Sequence, residues 1–172
     1  VPKDGEAVTV LDEDGLRVTA FLVDHGPVRP SVGFRFDSGG RSVVVSGDTA
    51  KSANLTQFAK GVDLLVHEGL APHLVALMTD AAKRAGRANV AKITQDILDY
   101  HASPVEAGEV ARDAGVRMLA FTHVIPPLPN AALEEVFLKG VADVWKGPLV
   151  VGRDGMTFTL PAGSETIERG SL

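Results

Sequence analysis

An apolar strand pattern passes directly into a polar turn at residues 43–49, which read Val43-Val44-Val45-Ser46-Gly47-Asp48-Thr49. Taken alone, a Gly-Asp-Thr turn is more typical of a turn-forming or capping aspartate than of a metal ligand. The Asp48 carboxylate is nevertheless a hard oxygen ligand of the kind that suits Zn²⁺ or Mn²⁺. The role of Asp48 therefore depends on which side chains the fold places beside it.

Further polar residues stand at similar places along the chain. They are His67-Glu68 after Leu64–Val66, Thr122-His123 after Met118–Phe121, and His101 just before a helix cap. A single histidine after a strand more often makes a structural hydrogen bond than binds a metal. In open α/β sheets, however, ligands bind beyond the carboxyl ends of the strands. We therefore expect Asp48, His67, His101 and His123 to converge at one edge of a single sheet.

The rest of the chain predicts strands first and then alternating helices and strands. Alternating apolar and polar residues predict a hairpin of Ala7–Val10 with Leu16–Leu22, followed by a strand at Val32–Phe36. Leu149–Val151 and Met156–Leu160 are predicted to form a final hairpin, and the residues after Pro161 a polar tail. This order favours an α/β fold with one mixed sheet whose helices cover only one face. We expect residues 1–172 to form a single unit.

Several helices have recognisable start signals. Ser52 is a candidate N-cap, Pro72 opens a second helix, and Ser103-Pro104-Val105-Glu106 matches a capping box. In the helix after Pro72, apolar residues that include Leu77 and Met78 follow helical spacing, which predicts that they pack into the core.

Composition narrows the class of protein. Of the 172 residues (18.0 kDa), 45% are hydrophobic and 23% are charged, which is typical of a folded soluble domain rather than a disordered chain. The formal net charge is −5 and the pI is about 5.5. The chain therefore lacks the overall basic character that is typical of nucleic-acid-binding proteins, and we expect a small substrate rather than nucleic acid. The chain has no cysteine, which fits a reducing compartment and favours the cytoplasm. Its apolar runs are too short to predict a membrane span.

Ordered motifs give these residues a family resemblance. The motifs are V-D-H-G at Val23–Gly26, S-G-D-T at Ser46–Thr49, D-x-L-x-H-E at Asp63–Glu68, Y-H-x-S-P at Tyr100–Pro104 and F-T-H at Phe121–His123. Together they resemble the second half of metallo-β-lactamase-fold proteins, in the branch that contains tRNase Z and the arylsulfatase-like hydrolases. The resemblance implies the C-terminal half of an αββα sandwich, with the helices on the outer face of the sheet.

The resemblance also implies roles for individual residues. Asp48 matches the aspartate that bridges two metals, and His123 matches the last histidine ligand of the second metal. His101 matches a histidine beside the scissile group, where it acts as proton donor or oxyanion stabiliser, and Glu68 resembles a residue that orients His101. His25, His67 and Thr49 are candidate pocket residues; of these, His67 is more typical of a structural residue, and no role is assigned to His25.

The signature of the family's first half does not occur in this sequence. No two of the five histidines have the spacing of H-x-H-x-D-H. The resemblance implies that the family's first half also holds a further histidine ligand, and we expect that this ligand is missing from the present sequence too. We therefore expect two Zn²⁺ (or Mn or Fe) ions in an intact parent, and an incomplete or absent metal site and no activity in this chain alone. The missing N-terminal half or a second copy is the expected partner that covers the open sheet face.

Three functions remain open at this stage. The first is a dinuclear-metal hydrolase of phosphate, sulfate or other small esters. This reading is favoured because only one tight hairpin separates His25 from Asp48, because two predicted helices between His67 and His101 could form a lid, and because the pI is acidic. The alternatives are a tRNA 3′-processing endoribonuclease and a non-catalytic fragment that binds a partner through its bare sheet.

Overall fold

A seven-stranded sheet in which every strand lies beside its neighbour in chain order forms the centre of the computed structural model, which describes residues 1–172. The strands are β1 (Ala7–Glu13), β2 (Leu16–Val23), β3 (Ser31–Ser38), β4 (Arg41–Val45), β5 (Leu64–Leu70), β6 (Met118–Ile125) and β7 (Leu149–Val151). Strands β1 to β4 pair antiparallel, whereas β4 to β7 pair parallel. The sheet is therefore mixed, and the predicted α/β class is confirmed.

The helices lie between the parallel strands and after β4. They are α1 (Ala53–Phe58), α2 (Pro72–Arg84), α3 (Ala88–Asp96), α4 (Pro104–Ala114), α5 (Ala131–Phe137) and α6 (Val141–Val144). The predicted caps are confirmed: the Ser52 side chain accepts the Leu55 N–H at the start of α1, and Ser103 and Glu106 form a complete capping box on α4. None of the helices is both long and apolar enough to cross a lipid bilayer.

One face of the sheet carries the main hydrophobic core. Phe21, Val44, Leu65, Leu119 and Phe121 alternate with residues of the other face and are at most 1% exposed. Helices α1 and α4 contact β2 and β5 respectively, and their buried apolar residues join the same cluster. This arrangement leaves the opposite face without a helix layer.

The opposite face is partly covered by the C-terminal residues, which differs from the prediction. Strand β7 pairs parallel with β6, and the predicted hairpin partner instead forms β8 (Met156–Thr159), which pairs with β9 (Glu168–Ser171) in a separate two-stranded sheet. The residues of β9 fall in the segment that the sequence predicts to be a polar tail, and in the structure all of them are exposed.

The small β8–β9 sheet packs on the sheet face that was expected to be bare. Met156, Phe158 and Leu160 contact the cluster of Leu64, Ala120 and Val150. Val18 and Ala20, which lie on that face, are only 7% and 5% exposed. The face is thus partly closed by the chain itself.

The prediction that the apolar stripe of α2 is core is wrong at Leu77 and Met78, which are 65% and 42% exposed. The buried side of α2 instead includes Thr79, whose hydroxyl donates to the Thr94 hydroxyl of α3 at 2.7 Å. The threonine pair therefore lies on the buried side of α2, where hydrophobicity alone does not predict it.

A candidate metal centre at the sheet edge

The candidate site is assembled from loops at the carboxyl ends of the central strands. Asp48 follows β4, His101 precedes α4, and His25 follows β2. His123 lies within β6, which runs further than predicted. It is the bulged residue of that strand, because Glu68 pairs with Thr122 and Gly69 with Val124. Its φ of 43° removes it from the regular ladder.

These four side chains lie close together. His123 Nε2 is 3.6 Å from Asp48 Oδ2. The His101 ring stacks on the His123 ring with centroids 5.6 Å apart and meets the His25 ring edge-on at 5.0 Å. Asp48, His101 and His123 therefore converge at one edge of one sheet, as the sequence predicts.

The side chains present fit a divalent cation. One potential ligand atom from each of His25, Asp48 and His101 lies within 4.8 Å of the others. His25 Nε2 is buried and has no hydrogen-bond partner, which is costly for a polar atom unless it meets an ion or a water molecule. A carboxylate with imidazole nitrogens is a donor set that suits Zn²⁺. The fold thus brings together more candidate ligands than the two, Asp48 and His123, that the sequence predicts.

Glu68 links the site to the buried part of the sheet. Its side chain is fully buried, and Oε1 accepts hydrogen bonds from His101 Nδ1 at 2.9 Å and from the Thr49 N–H at 2.9 Å. Burial of the ring acts to lower the pKa of His101, but the hydrogen bond and negative charge of Glu68 outweigh burial and raise this pKa above its usual value. Glu68 therefore fixes the ring orientation and leaves His101 Nε2 free.

Thr49, a candidate pocket residue, makes hydrogen bonds that hold the turn carrying Asp48. It is fully buried, and its hydroxyl oxygen accepts the Asp24 N–H at 3.0 Å. On the same turn, the Asp48 carbonyl accepts the Ser31 hydroxyl at 3.1 Å. These contacts join the turn that carries Asp48 to the loop that carries His25.

His67 does not belong to the site, so its placement as a pocket residue is wrong. Its alternation with Glu68 along β5 turns it to the helix-covered face, where it is fully buried and donates from Nδ1 to the Glu68 carbonyl at 2.8 Å. Burial lowers the pKa of His67 and keeps the ring neutral. The predicted strand ends at Val66, whereas β5 continues to Leu70, and this added length sends neighbouring residues to opposite faces.

Tyr100 is a site neighbour that the sequence reasoning missed. Its ring centroid lies 5.0 Å from that of His25 and 5.2 Å from that of His101. The available signal was its position beside His101 in the motif Y-H-x-S-P. Gly26 packs against it: a Cβ at Gly26, where φ is 51°, would lie 3.0 Å from Tyr100 Cβ.

The mixed sheet with outer helices and the histidine–carboxylate cluster at its edge define a class of metal-dependent hydrolases. The family described as beta-lactamase superfamily domain matches residues 2–124. The chain belongs to this superfamily, and the predicted family and enzyme class are confirmed.

Particular relatives narrow the comparison. Ribonuclease Z of Mycobacterium tuberculosis is 36% identical over 143 residues, which cover 83% of this chain and 48% of the relative. The chain thus spans about half the length of the curated relatives it matches. Among solved structures, the metallo-β-lactamase fold protein YhfI of Bacillus subtilis aligns with a TM-score of 0.61 at 17% identity, over 98% of this chain and 54% of that chain. The short form of human tRNase Z aligns with a TM-score of 0.50 at 23% identity, over 69% and 39% respectively.

These comparisons favour one of the functions left open by the sequence. Relatives named ribonuclease Z fit the endoribonuclease alternative better than the small-ester reading that was preferred. They also give no support to the expectation that nucleic acid is the less favoured partner, which was based on net charge alone.

Proposed function

We propose that this chain supplies one half of a metal-dependent site that hydrolyses phosphodiester bonds in RNA. The observation that carries the proposal is the convergence of His25, Asp48, His101 and His123 at one sheet edge. The RNA part rests on the 36% identity to ribonuclease Z.

We assign Asp48, His123 and His25 as the metal ligands of this half. Asp48 and His123 already lie within 3.6 Å of each other, and the His25 Nε2 atom is buried without a partner. A bound Zn²⁺ pair would lower the pKa of a bound water towards neutrality and polarise the phosphate oxygens. The remaining ligands would come from the other half of the site.

We assign His101 as the proton donor to the leaving oxygen and Glu68 as its positioning residue. The buried Glu68 carboxylate favours the charged imidazolium, in which both ring nitrogens carry protons and neither has a lone pair for a metal. Nε2 then carries the proton that the departing oxygen needs.

Zinc titration calorimetry tests the ligand assignment on the chain itself. We expect Asp48→Ala, His123→Ala and His25→Ala each to weaken Zn²⁺ binding at least about tenfold. His101→Ala should leave the affinity within about threefold, because its role is proton transfer. His73→Ala is the matched control, since His73 is exposed on α2 and bonds only the Val136 carbonyl. A loss in His101→Ala as large as that in Asp48→Ala would overturn the assignment.

Substrate choice is tested by complementation. The chain is mixed, in the presence of Zn²⁺, with the part of the Mycobacterium tuberculosis ribonuclease Z that it does not match. Cleavage of a tRNA precursor by this mixture is then compared with cleavage of bis-p-nitrophenyl phosphate. We expect cleavage of both, and Asp48→Ala or His101→Ala should abolish or strongly slow both. Cleavage of the small diester without RNA cleavage would contradict the RNA proposal.

A small-ester hydrolase is the second candidate. It is favoured by the direct β3–β4 hairpin between His25 and Asp48 and by the α2–α3 pair, which stands between His67 and His101. The complementation assay separates this candidate from the first.

A further inference from the structure

His25 lacks the hydrogen-bonded support that His101 receives. The His101 ring is oriented by a buried carboxylate at 2.9 Å, and metal-binding histidines usually donate their second ring N–H to such a group. His25 makes no side-chain hydrogen bond, and its Nε2 is buried without a partner. Some other contact must hold the His25 ring in place.

Aromatic packing supplies that contact. Tyr100 meets the His25 ring at 5.0 Å with an interplanar angle of 74°, and His101 meets it at 5.0 Å and 79°. Both are edge-to-face contacts, the geometry that aromatic rings prefer. The His25 ring therefore packs against two rings that are adjacent in the sequence and that also contact each other.

The backbone around Tyr100 is adapted to this packing. Gly26, the residue after His25, allows the loop to approach so closely that a Cβ there would lie 3.0 Å from Tyr100 Cβ. Tyr100 also ends the segment of α2, α3 and the following 3-10 turn, Ile97–Asp99. It thus joins that segment to the loop that carries His25.

We propose that Tyr100 is the positioning residue of His25, and that its ring takes the place that a hydrogen-bonded carboxylate takes for His101. This inference rests on the proposed role of His25 as a metal ligand. The ring of Tyr100 rather than its hydroxyl carries the effect, since the contact with His25 is made by the ring.

A double-mutant cycle on the full chain tests the proposal with zinc titration as the readout. We expect Tyr100→Ala to weaken Zn²⁺ binding about tenfold and Tyr100→Phe to stay within about twofold of the wild type. In a His25→Ala background, Tyr100→Ala should have no further effect on affinity. In a His101→Ala background it should keep its full effect, which separates support of His25 from support of His101.

Nitrogen-15 NMR of the metal-free chain makes the test independent of the proposed function. Tyr100→Ala should shift the His25 ring resonances, whereas Tyr100→Phe should not. Phe158→Ala is the control, because it removes another half-buried ring remote from the site. Unchanged His25 resonances in Tyr100→Ala, or additive losses of zinc affinity in the His25→Ala background, would overturn the inference. Failure of RNA cleavage alone would count only against the proposed function.

Discussion

His123 occupies a backbone conformation that residues other than glycine seldom adopt. Its φ of 43° places it in the left-handed region, and it sits at the bulge of β6 where the ladder with β5 shifts. Such strain persists only where the surrounding structure holds it, and it is common at functional sites. Here it directs a side chain towards Asp48 at 3.6 Å.

Substitution at His123 should separate this strain from the side-chain role. His123→Gly removes the Cβ and should leave the metal-free chain roughly 1 kcal/mol more stable than His123→Ala does, because alanine keeps the left-handed penalty. Both variants should lose zinc affinity equally. Urea unfolding of the two variants without metal measures the difference, and equal stabilities would argue against a strained backbone at this position.

At the scale of elements, a charged cluster ties the C-terminal segment to the sheet. Arg41 donates to the carbonyls of Pro161 and Thr166 and forms an ion pair with Asp63 at 3.1 Å. Arg117 also approaches Asp63, at 3.4 Å. Because Arg41 is only 7% exposed, these contacts fix residues 161–166 beside the sheet more firmly than a surface ion pair would.

The stability contributed by Asp63 should depend on pH. Burial would raise the pKa of the Asp63 carboxyl, but the hydrogen bonds from Arg41 and the Ser42 N–H and the nearby guanidinium charges hold it below its usual value of 3.8. A lowered carboxyl pKa gives stability that is present above 3.8 and is lost as the pH falls through the lower folded value.

Asp63→Asn should therefore destabilise the chain by about 2 kcal/mol between pH 5 and pH 8. The difference from the wild type should shrink below pH 3.8, where the unfolded wild-type carboxyl becomes protonated. Chemical denaturation at a series of pH values measures this, and Asp12→Asn, in an exposed pair with Arg17, is the control. A difference that does not change with pH would exclude the charge of Asp63 as its cause.

At the scale of the whole molecule, part of the sheet remains without a covering layer. Phe34, Val45 and Val66 are cross-strand neighbours on the face opposite α1 and α4, and each is only partly buried. Burial of apolar surface is worth about 25 cal/mol per Å². Binding of a partner over this row would therefore be favourable. We propose that the missing half of the site or a second copy of the chain binds there.

Sedimentation velocity tests the covering partner. We expect the chain to associate as its concentration rises, and Val66→Lys to reduce this association by placing a charge in the exposed row. Val10→Lys, on the exposed edge strand β1, is the control. An 18.0 kDa species that stays monomeric at all concentrations, with or without the unmatched part of a relative, would show that the chain needs no cover.

The sequence alone determined the fold class, the capped helices and the convergence of Asp48, His101 and His123. These features depend on local signals, namely apolar strands that end in polar turns and capping residues at fixed spacing, which act within a few residues of one another. The preference for a small ester rested on net charge and loop length, which do not report which surface meets a substrate.

Tertiary structure decided the remaining features. His67 lies outside the site because β5 continues three residues past it, to Leu70, and strand alternation turns its side chain to the buried face. Tyr100 joined the site, and the candidate pocket residue His25 became a candidate ligand, because loops distant in sequence pack together. Strand β9 formed because it pairs with β8. Each outcome depends on contacts between residues far apart in the chain, and neither periodicity nor local propensity encodes them.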